Sequence, residues 1–488
     1  MPDVIIAGGG LAGLACGVAL SDRGLRVTVL ERSDRLGGRA GSWPDRATGD
    51  MVDIGPHVMH SEYRNMLSLL KRLGTREQIQ WQPEEVLAIA SKPHLTALRH
   101  AALPPPLSLI PSLLKAPGLS IRDHLSMART TWRAMKLLEE DIPALDRTTA
   151  LDFLRSAGVS EPMIAWWWKF AAMVVTNVPL ERCSAAALLR IHSQLSGYRR
   201  LHFGFAAVGL AELYAAQATR VIEAAGGAVL MNSAICAITG TPDASGRGAA
   251  DTVILADGSR LRARHIVSAL PPRDLDAVLP EAWKAAQPFS DLSAFEPSPY
   301  VSCYLWFDRV VTNKRFVSHL WSPSRLNYDF YDLSKIRRGW QDRPSVVATN
   351  IIYSHRAHDM TDDDIIRATV REMAEFAPDA AGARLTHARV HRIPMAIPCP
   401  TPGTESRRPP PRTPVSGLIL AGDWVQTHLP CTMESAVMSG MLAAEQVLAD
   451  VGKPHRMAQF PRTPDGLSGL VRRMARARRS SNNRRDPG

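Results

Sequence analysis

Residues 3–13 read Asp-Val-Ile-Ile-Ala-Gly-Gly-Gly-Leu-Ala-Gly, and their order decides how the chain is read. Residues 3–7 are mostly apolar and β-branched, residues 11–23 have helical periodicity, and residues 26–31 alternate again, which makes one strand–helix–strand unit. Gly8, Gly10 and Gly13 stand at the first junction in a G-x-G-x-x-G spacing. The first glycine permits the turn, the second lets the backbone approach a pyrophosphate, and the third lets helix and strand pack closely. The helix amino end, at Leu11 and Ala12, offers free N–H groups and a positive dipole end to phosphate. Glu31 closes the second strand about 20 residues later, where a carboxylate accepts ribose hydroxyls and disfavours a 2′-phosphate. The motif, met in its full context, predicts an α/β dinucleotide-binding fold.

Working outward, residues 63–200 read as a long helical, Pro-punctuated region without strand alternation, in which 103–119 is dense in Leu and Pro. Extended runs return at 228–239 and 252–270, where Asp257-Gly258 marks a hairpin. Residues 300–307 and 345–352 predict strands of a separate sheet and 363–376 a helix. Residues 401–414 read as a loop, 418–421 as one more strand and 433–451 as a helix.

At 488 residues, 45% hydrophobic and 22% charged, the chain can build two lobes with separate cores. Of the formal charge of +11, +8 lies between Lys453 and Gly488, leaving +3 for the body, so the basic balance is not a nucleic-acid signal. That end, partly apolar at 467–474, suits the anionic face of a membrane; a disordered solubilising tail fits it as well. The six cysteines are scattered without metal-ligand spacing, which predicts reduced thiols and no metal site. The first strand begins within a few residues of Met1 with no charged and apolar leader ahead of it, and no run reaches the roughly 20 apolar residues of a membrane span. A cytoplasmic protein, free to lie on the inner membrane face, is expected.

The continuation from Glu31, Arg32-Ser-Asp-Arg-Leu-Gly37-Gly38-Arg39, resembles the second signature of the flavoprotein amine oxidase and carotenoid desaturase superfamily. In that superfamily the glycines and arginine lie against the flavin side of FAD. Leu420-Ala-Gly422-Asp423-Trp424, followed by Pro430-Cys-Thr432-Met433-Glu434-Ser435-Ala436, resembles its carboxy-terminal FAD motif, with Ser435 where glycine is usual. The resemblance places Gly422 and Asp423 at the pyrophosphate and ribityl chain, and the helix from Met433 with its positive end towards the flavin. It also places residues 227–235, with Ala234 and Ile235, at the adenine strand, and 266–271 where the chain leaves the FAD domain. The implied fold is a Rossmann-like FAD-binding domain of discontinuous segments (1–95, 200–272 and 400–451) with an α+β substrate domain of mixed sheet plus helices (96–199 and 273–399). Residues 452–488 are expected to form a disordered basic tail.

Within the superfamily the likeness is closest to plant-type phytoene and ζ-carotene desaturases and hydroxysqualene dehydroxylases. Val52-Asp53-Ile54-Gly55-Pro56-His57 and Ile79-Gln80-Trp81 resemble desaturase segments, as does Tyr304-Leu-Trp-Phe-Asp308-Arg309, while Gly422-Asp423-Trp424 with Leu429-Pro430 is similar to the dehydroxylases. The G-x-G-T-H-P-G pattern of bacterial-type desaturases is absent, and no flavin-linked cysteine or aromatic cage with buried lysine marks an amine oxidase. The resemblance therefore implies FAD, an apolar isoprenoid substrate such as phytoene or ζ-carotene, hydride transfer to flavin N5, and a quinone-like electron acceptor. Formation of squalene from hydroxysqualene is the alternative, with amine oxidation of lower weight. Gly55, Pro56 and His57 are expected beside the flavin, with His57 and Arg309 as candidate catalytic side chains. Arg309 has two readings, an acceptor contact or a salt bridge with Asp308. Residues 103–119 and the tryptophans of 164–175 are read as plain core or as the lining of an apolar entrance.

Overall fold

The computed structural model describes residues 2–241 and 248–483. Five parallel strands form the central sheet in the spatial order Ala228–Leu230, Val27–Leu30, Val4–Ala7, His265–Ser268 and Leu418–Leu420. Val4–Ala7 is fully buried along its length, which explains why it reads as an unbroken apolar run rather than an alternating one. Helix Leu11–Ser21 lies against helix Met433–Asp450, so the two ends of the chain are neighbours. Glycine permits that approach: a Cβ on Gly440 would stand 2.3 Å from the Ala12 carbonyl oxygen, and one on Gly13 2.0 Å from that of Gly8.

The second sheet has seven strands in the order Leu385–Pro398, Pro297–Phe307, Val346–Ile351, Asp329–Asp332, Phe316–His319, Leu87–Ser91 and His94–Leu98. All neighbours are antiparallel except Phe316–His319 with Leu87–Ser91, so the sheet is mixed. One face, through Val301, Cys303, Leu305 and Phe330, packs on helix Asp362–Met373. The other, through Tyr304, Trp306 and Tyr331, meets the helical region that includes Ala150–Ser156 and Ala185–Leu195.

Two expectations are corrected. Residues 63–200, read as free of strand alternation, contain strands Ile79–Gln82, Leu87–Ser91 and His94–Leu98, and the latter two, from the expected segment 1–95, join the seven-stranded sheet and not the parallel one. The tryptophans of 164–168 lie in the main core, which is the plain-core reading of that segment. The tail expected to be disordered carries helix Gly466–Asn483. Its order has a local cause. Arg472 donates to the carbonyls of Ala134 and Met135 at 2.8 and 2.9 Å, and Ser468 Oγ donates to that of Ser196 at 2.9 Å. These acceptors sit at the carboxyl ends of helices Ala128–Lys136 and Ala185–Leu195, where helices leave carbonyls unpaired.

Candidate active site

The two glycine loops lie side by side. Gly8 and Gly37 both adopt left-handed backbone, φ +108° and +107°, and the Gly37 amide donates to the Gly9 carbonyl at 2.9 Å. A Cβ placed on Gly10 would meet nothing within 4 Å, so that glycine faces open space, and Leu11 and Ala12 begin the helix beside it. Glu31 is buried: Oε2 accepts the Gly9 amide at 3.0 Å, and Oε1 accepts the amide and hydroxyl of Ser33 at 2.9 Å each. A carboxylate offers about four acceptor positions, so one remains for an incoming hydroxyl. The strand leading to Ala234 and Ile235 runs beside it, with the Ser233 amide donating to the Glu31 carbonyl. Arg32 departs from the expected set: its side chain turns outward to Asp274, 3.2 Å away, and is 71% exposed.

Arg39 joins the opposite ends of the chain. Its guanidinium grips Asp423 through both oxygens, at 2.7 and 3.0 Å, and also donates to the Ala396 carbonyl at 3.0 Å. Burial opposes the charge of Arg39, and the Asp423 carboxylate more than restores it. Gly422, at φ +126°, donates its amide to Ser439 Oγ at 2.8 Å. The side chain that organises this loop escaped the sequence reading. Buried Arg408 donates to the carbonyls of Asp423 and Val425 at 2.8 and 2.9 Å and to the hydroxyls of Thr427 and Ser435 at 3.2 Å. Ser435 itself donates to the Asp423 carbonyl and lies 2.7 Å from the Thr427 hydroxyl, so the departure from glycine builds a hydrogen-bonded loop. Thr432 caps helix Met433–Asp450 by accepting the Ser435 amide, leaving the other first-turn amides, from Met433 onward, without partners in the helix.

Gly55, Pro56 and His57 rest on the seven-stranded sheet. Asn350 Nδ2 donates to the Pro56 carbonyl at 3.0 Å, Ser302 Oγ donates to Asn350 Oδ1 at 2.8 Å, and a Cβ on Gly55 would strike that serine oxygen. His57 Nδ1 donates to the Gly55 carbonyl at 2.7 Å, which leaves Nε2 as an acceptor, and burial holds the imidazole below its usual pKa. Farther along the same sheet face, Asp329 is buried with two hydroxyl donors, Ser318 and Tyr331; burial raises its carboxyl to about 7. A cavity of about 70 Å³ at the start of helix Met433–Asp450 is lined by His60, Tyr63, Val175, Leu429, Thr432 and Gln459 among others. Arg309 is not in this group. Its exposed side chain pairs with Asp308 at 3.0 Å, which is the salt-bridge reading of that residue.

These features fit FAD. Gly8, Gly10, Leu11, Ala12 and Gly13 would hold its pyrophosphate with Gly37, Gly38 and the Arg39–Asp423 pair alongside. Glu31 would take a ribose hydroxyl, and Thr432 and Met433 would present the helix end to the ring system.

Fold and site together define an FAD-dependent oxidoreductase. The chain belongs to the flavin containing amine oxidoreductase family, whose model matches residues 11–448. It is similar to 15-cis-phytoene desaturase of Synechococcus elongatus, 28% identical over 463 residues that cover 91% of this chain and 96% of that protein. It is likewise 28% identical to the chloroplastic/chromoplastic 15-cis-phytoene desaturase of Solanum lycopersicum over 460 residues, 92% of this chain and 78% of the relative. Among solved structures, putrescine oxidase bound to putrescine superposes with a TM-score of 0.69 at 16% identity, over 92% of this chain and 99% of that one, which is a likeness of fold.

Proposed function

We propose that the protein dehydrogenates a long isoprenoid of the phytoene or ζ-carotene class at a membrane surface on the cytoplasmic side and passes the electrons to a quinone-like acceptor. The similarity to phytoene desaturases carries this reading, because it spans 91% of the chain and so includes the substrate half as well as the dinucleotide half. Bound FAD supplies a two-electron acceptor for hydride. The chain's own residues must orient the polyene and take up the proton that leaves as the new double bond forms. His57 is suited to taking up that proton, because it is neutral near physiological pH, its ring is fixed by the Gly55 carbonyl, and Nε2 is left to accept.

The test is to incubate the flavin-loaded protein anaerobically with phytoene, ζ-carotene, squalene or hydroxysqualene in liposomes, following the visible flavin band and extracting the lipids. Bleaching by a carotene with a more unsaturated product is the expected outcome. Reoxidation of chemically reduced flavin by hydroxysqualene, with squalene formed, would replace this reading with dehydroxylation.

A further inference from the structure

Among the described residues, eleven of the fifteen exposed large apolar side chains lie in two stretches, 103–132 and 460–474. Exposed apolar side chains concentrated in this way mark a surface that meets something. We propose that these two stretches form one surface that seats on a bilayer containing anionic phospholipid, with helix Gly466–Asn483 supplying half of it.

The stretches abut. Gly466 sits so close to Pro104 and Pro105 that a Cβ there would stand 3.1 Å from Pro104 Cβ, and Arg472 bonds to the end of helix Ala128–Lys136. On the carboxy-terminal helix, Leu467, Leu470 and Met474 recur at i, i+3 and i+7 and are 43–49% exposed, while Ser468 and Val471 face inward. On the other stretch, Ile121 and Leu125, one turn apart on helix Ile121–Ser126, are 72% and 66% exposed, with Leu114 and Trp132 beside them in sequence at about half.

Charge selects the partner. Residues 103–136 carry Lys115, Arg122, Arg129, Arg133 and Lys136 against Asp123 alone, and that acid is buried as an acceptor of Ser120 and Ser160. The carboxy-terminal helix has five arginines and no acid; Arg479 is taken up by Glu140 and Asp141, and Arg472 by the helix end beneath it. Two copies of such a face would repel each other, whereas an anionic bilayer complements it. Beside the apolar stretch, an open groove of about 420 Å³ is lined by His94, Arg99, Ser112 and Lys115, at the edge strand of the seven-stranded sheet. Arg99 lies 3.6 Å from Glu85, so Lys115 is the less compensated cation there for a headgroup phosphate. Gln459, Pro461 and Arg462, in the chain leading into this helix, also line the cavity at the start of helix Met433–Asp450, so lipid surface and cavity share one segment.

The inference deepens the isoprenoid reading and rests on it for its purpose, but its test needs no substrate, so the two fail separately. The flavin-loaded full chain is floated with vesicles of phosphatidylcholine, with and without phosphatidylglycerol, at low and high salt. Flotation is expected with the anionic vesicles and to weaken with salt. Leu470→Ser with Met474→Ser, and separately Ile121→Ser with Leu125→Ser, should each cut it several-fold. Arg473→Gln and Arg476→Gln should cost about five-fold each at low salt. All these side chains are exposed, and flavin content and melting temperature without vesicles report folding; because the two halves are changed in separate variants, a defect in one leaves the other to decide. Undiminished flotation of the well-folded variants, equal flotation on neutral vesicles, or a wild-type dimer in light scattering that the serine variants dissociate, with no flotation, would overturn the proposal.

Discussion

A methyl group at Gly10 would touch nothing within 4 Å in the chain itself, whereas one at Gly13 would collide with the Gly8 carbonyl. The two glycines therefore separate cofactor binding from folding. Gly10→Ala should leave the melting temperature of the flavin-free protein within about 2 °C of wild type, since its backbone φ of −76° suits alanine. It should weaken FAD binding at least about ten-fold by filling the space a pyrophosphate needs, as read by flavin titration. Replacing His57 by Gln should keep the flavin and slow its reduction by substrate about 100-fold, the usual contribution of a positioned base; normal turnover would confine His57 to packing. Asp329 offers a pH test. Its folded pKa, about 7, lies above the unfolded value, so the folded state holds the proton longer. Stability is therefore lost as pH rises from about 4 through 7, and the full cost is present at pH 8. Asp329→Asn removes that cost, so its melting temperature should exceed wild type by about 2–4 °C at pH 8 and by little at pH 4. Gly8, Gly10, Gly13 and Glu31 were legible as candidates from their spacing along the chain, and Asp423 only from the resemblance of its segment to a family motif. Arg408, Ser302 and Asn350 were not, because their partners come from distant or unpatterned segments: Asn350 reaches back to Pro56, and Arg408 spans a loop with no periodicity.

At the scale of elements, the opening strand–helix–strand unit was legible because a glycine motif marks its junction, although strand Val4–Ala7 and helix Leu11–Ser21 are buried almost all round. Periodicity alone was a weaker guide. It failed for Leu87–Ser91, a short, almost wholly buried apolar run that cannot be told from a piece of helix by period alone. It failed again for the carboxy-terminal helix, whose composition reads as solvated while its order comes from donors meeting the open ends of two other helices. The start of helix Met433–Asp450 shows how a local departure is compensated. Thr432 caps it, and Ser435 ties it back to the loop carrying Asp423. Thr432→Ala should cost about 1 kcal/mol, the usual loss of a side-chain cap, and show as a lower midpoint in urea with unchanged slope. Ser435→Gly, which restores the residue usual in the family motif, should also destabilise here, because Arg408 and Thr427 lose their shared hydroxyl.

For the molecule as a whole, the two halves are locked together by a buried ion pair. Asp53, at the end of strand Met51–Asp53, meets Arg337 at 2.5 Å, and their side chains are 6% and 4% exposed. The same aspartate accepts Ser42 Oγ and the Leu210 amide at 2.8 Å, its carbonyl accepts the Tyr304 hydroxyl, and Arg337 also donates to the Ala206 carbonyl. The network thus binds the segment leading to Gly55 and His57 to the second sheet. Arg337→Ala would leave a buried carboxylate without its cation, at a cost of about 3–5 kcal/mol. Asp53→Leu with Arg337→Met, which removes both charges and roughly keeps the branched and unbranched outlines of the two side chains, should recover part of that stability. If the pair only stabilises, the double variant recovers both melting temperature and the rate of flavin reduction by substrate. If it also places the Gly55–His57 loop, melting temperature returns while flavin reduction by substrate stays slow. The second outcome is expected, because Leu at position 53 can no longer accept the Ser42 hydroxyl and Leu210 amide that hold that segment in place.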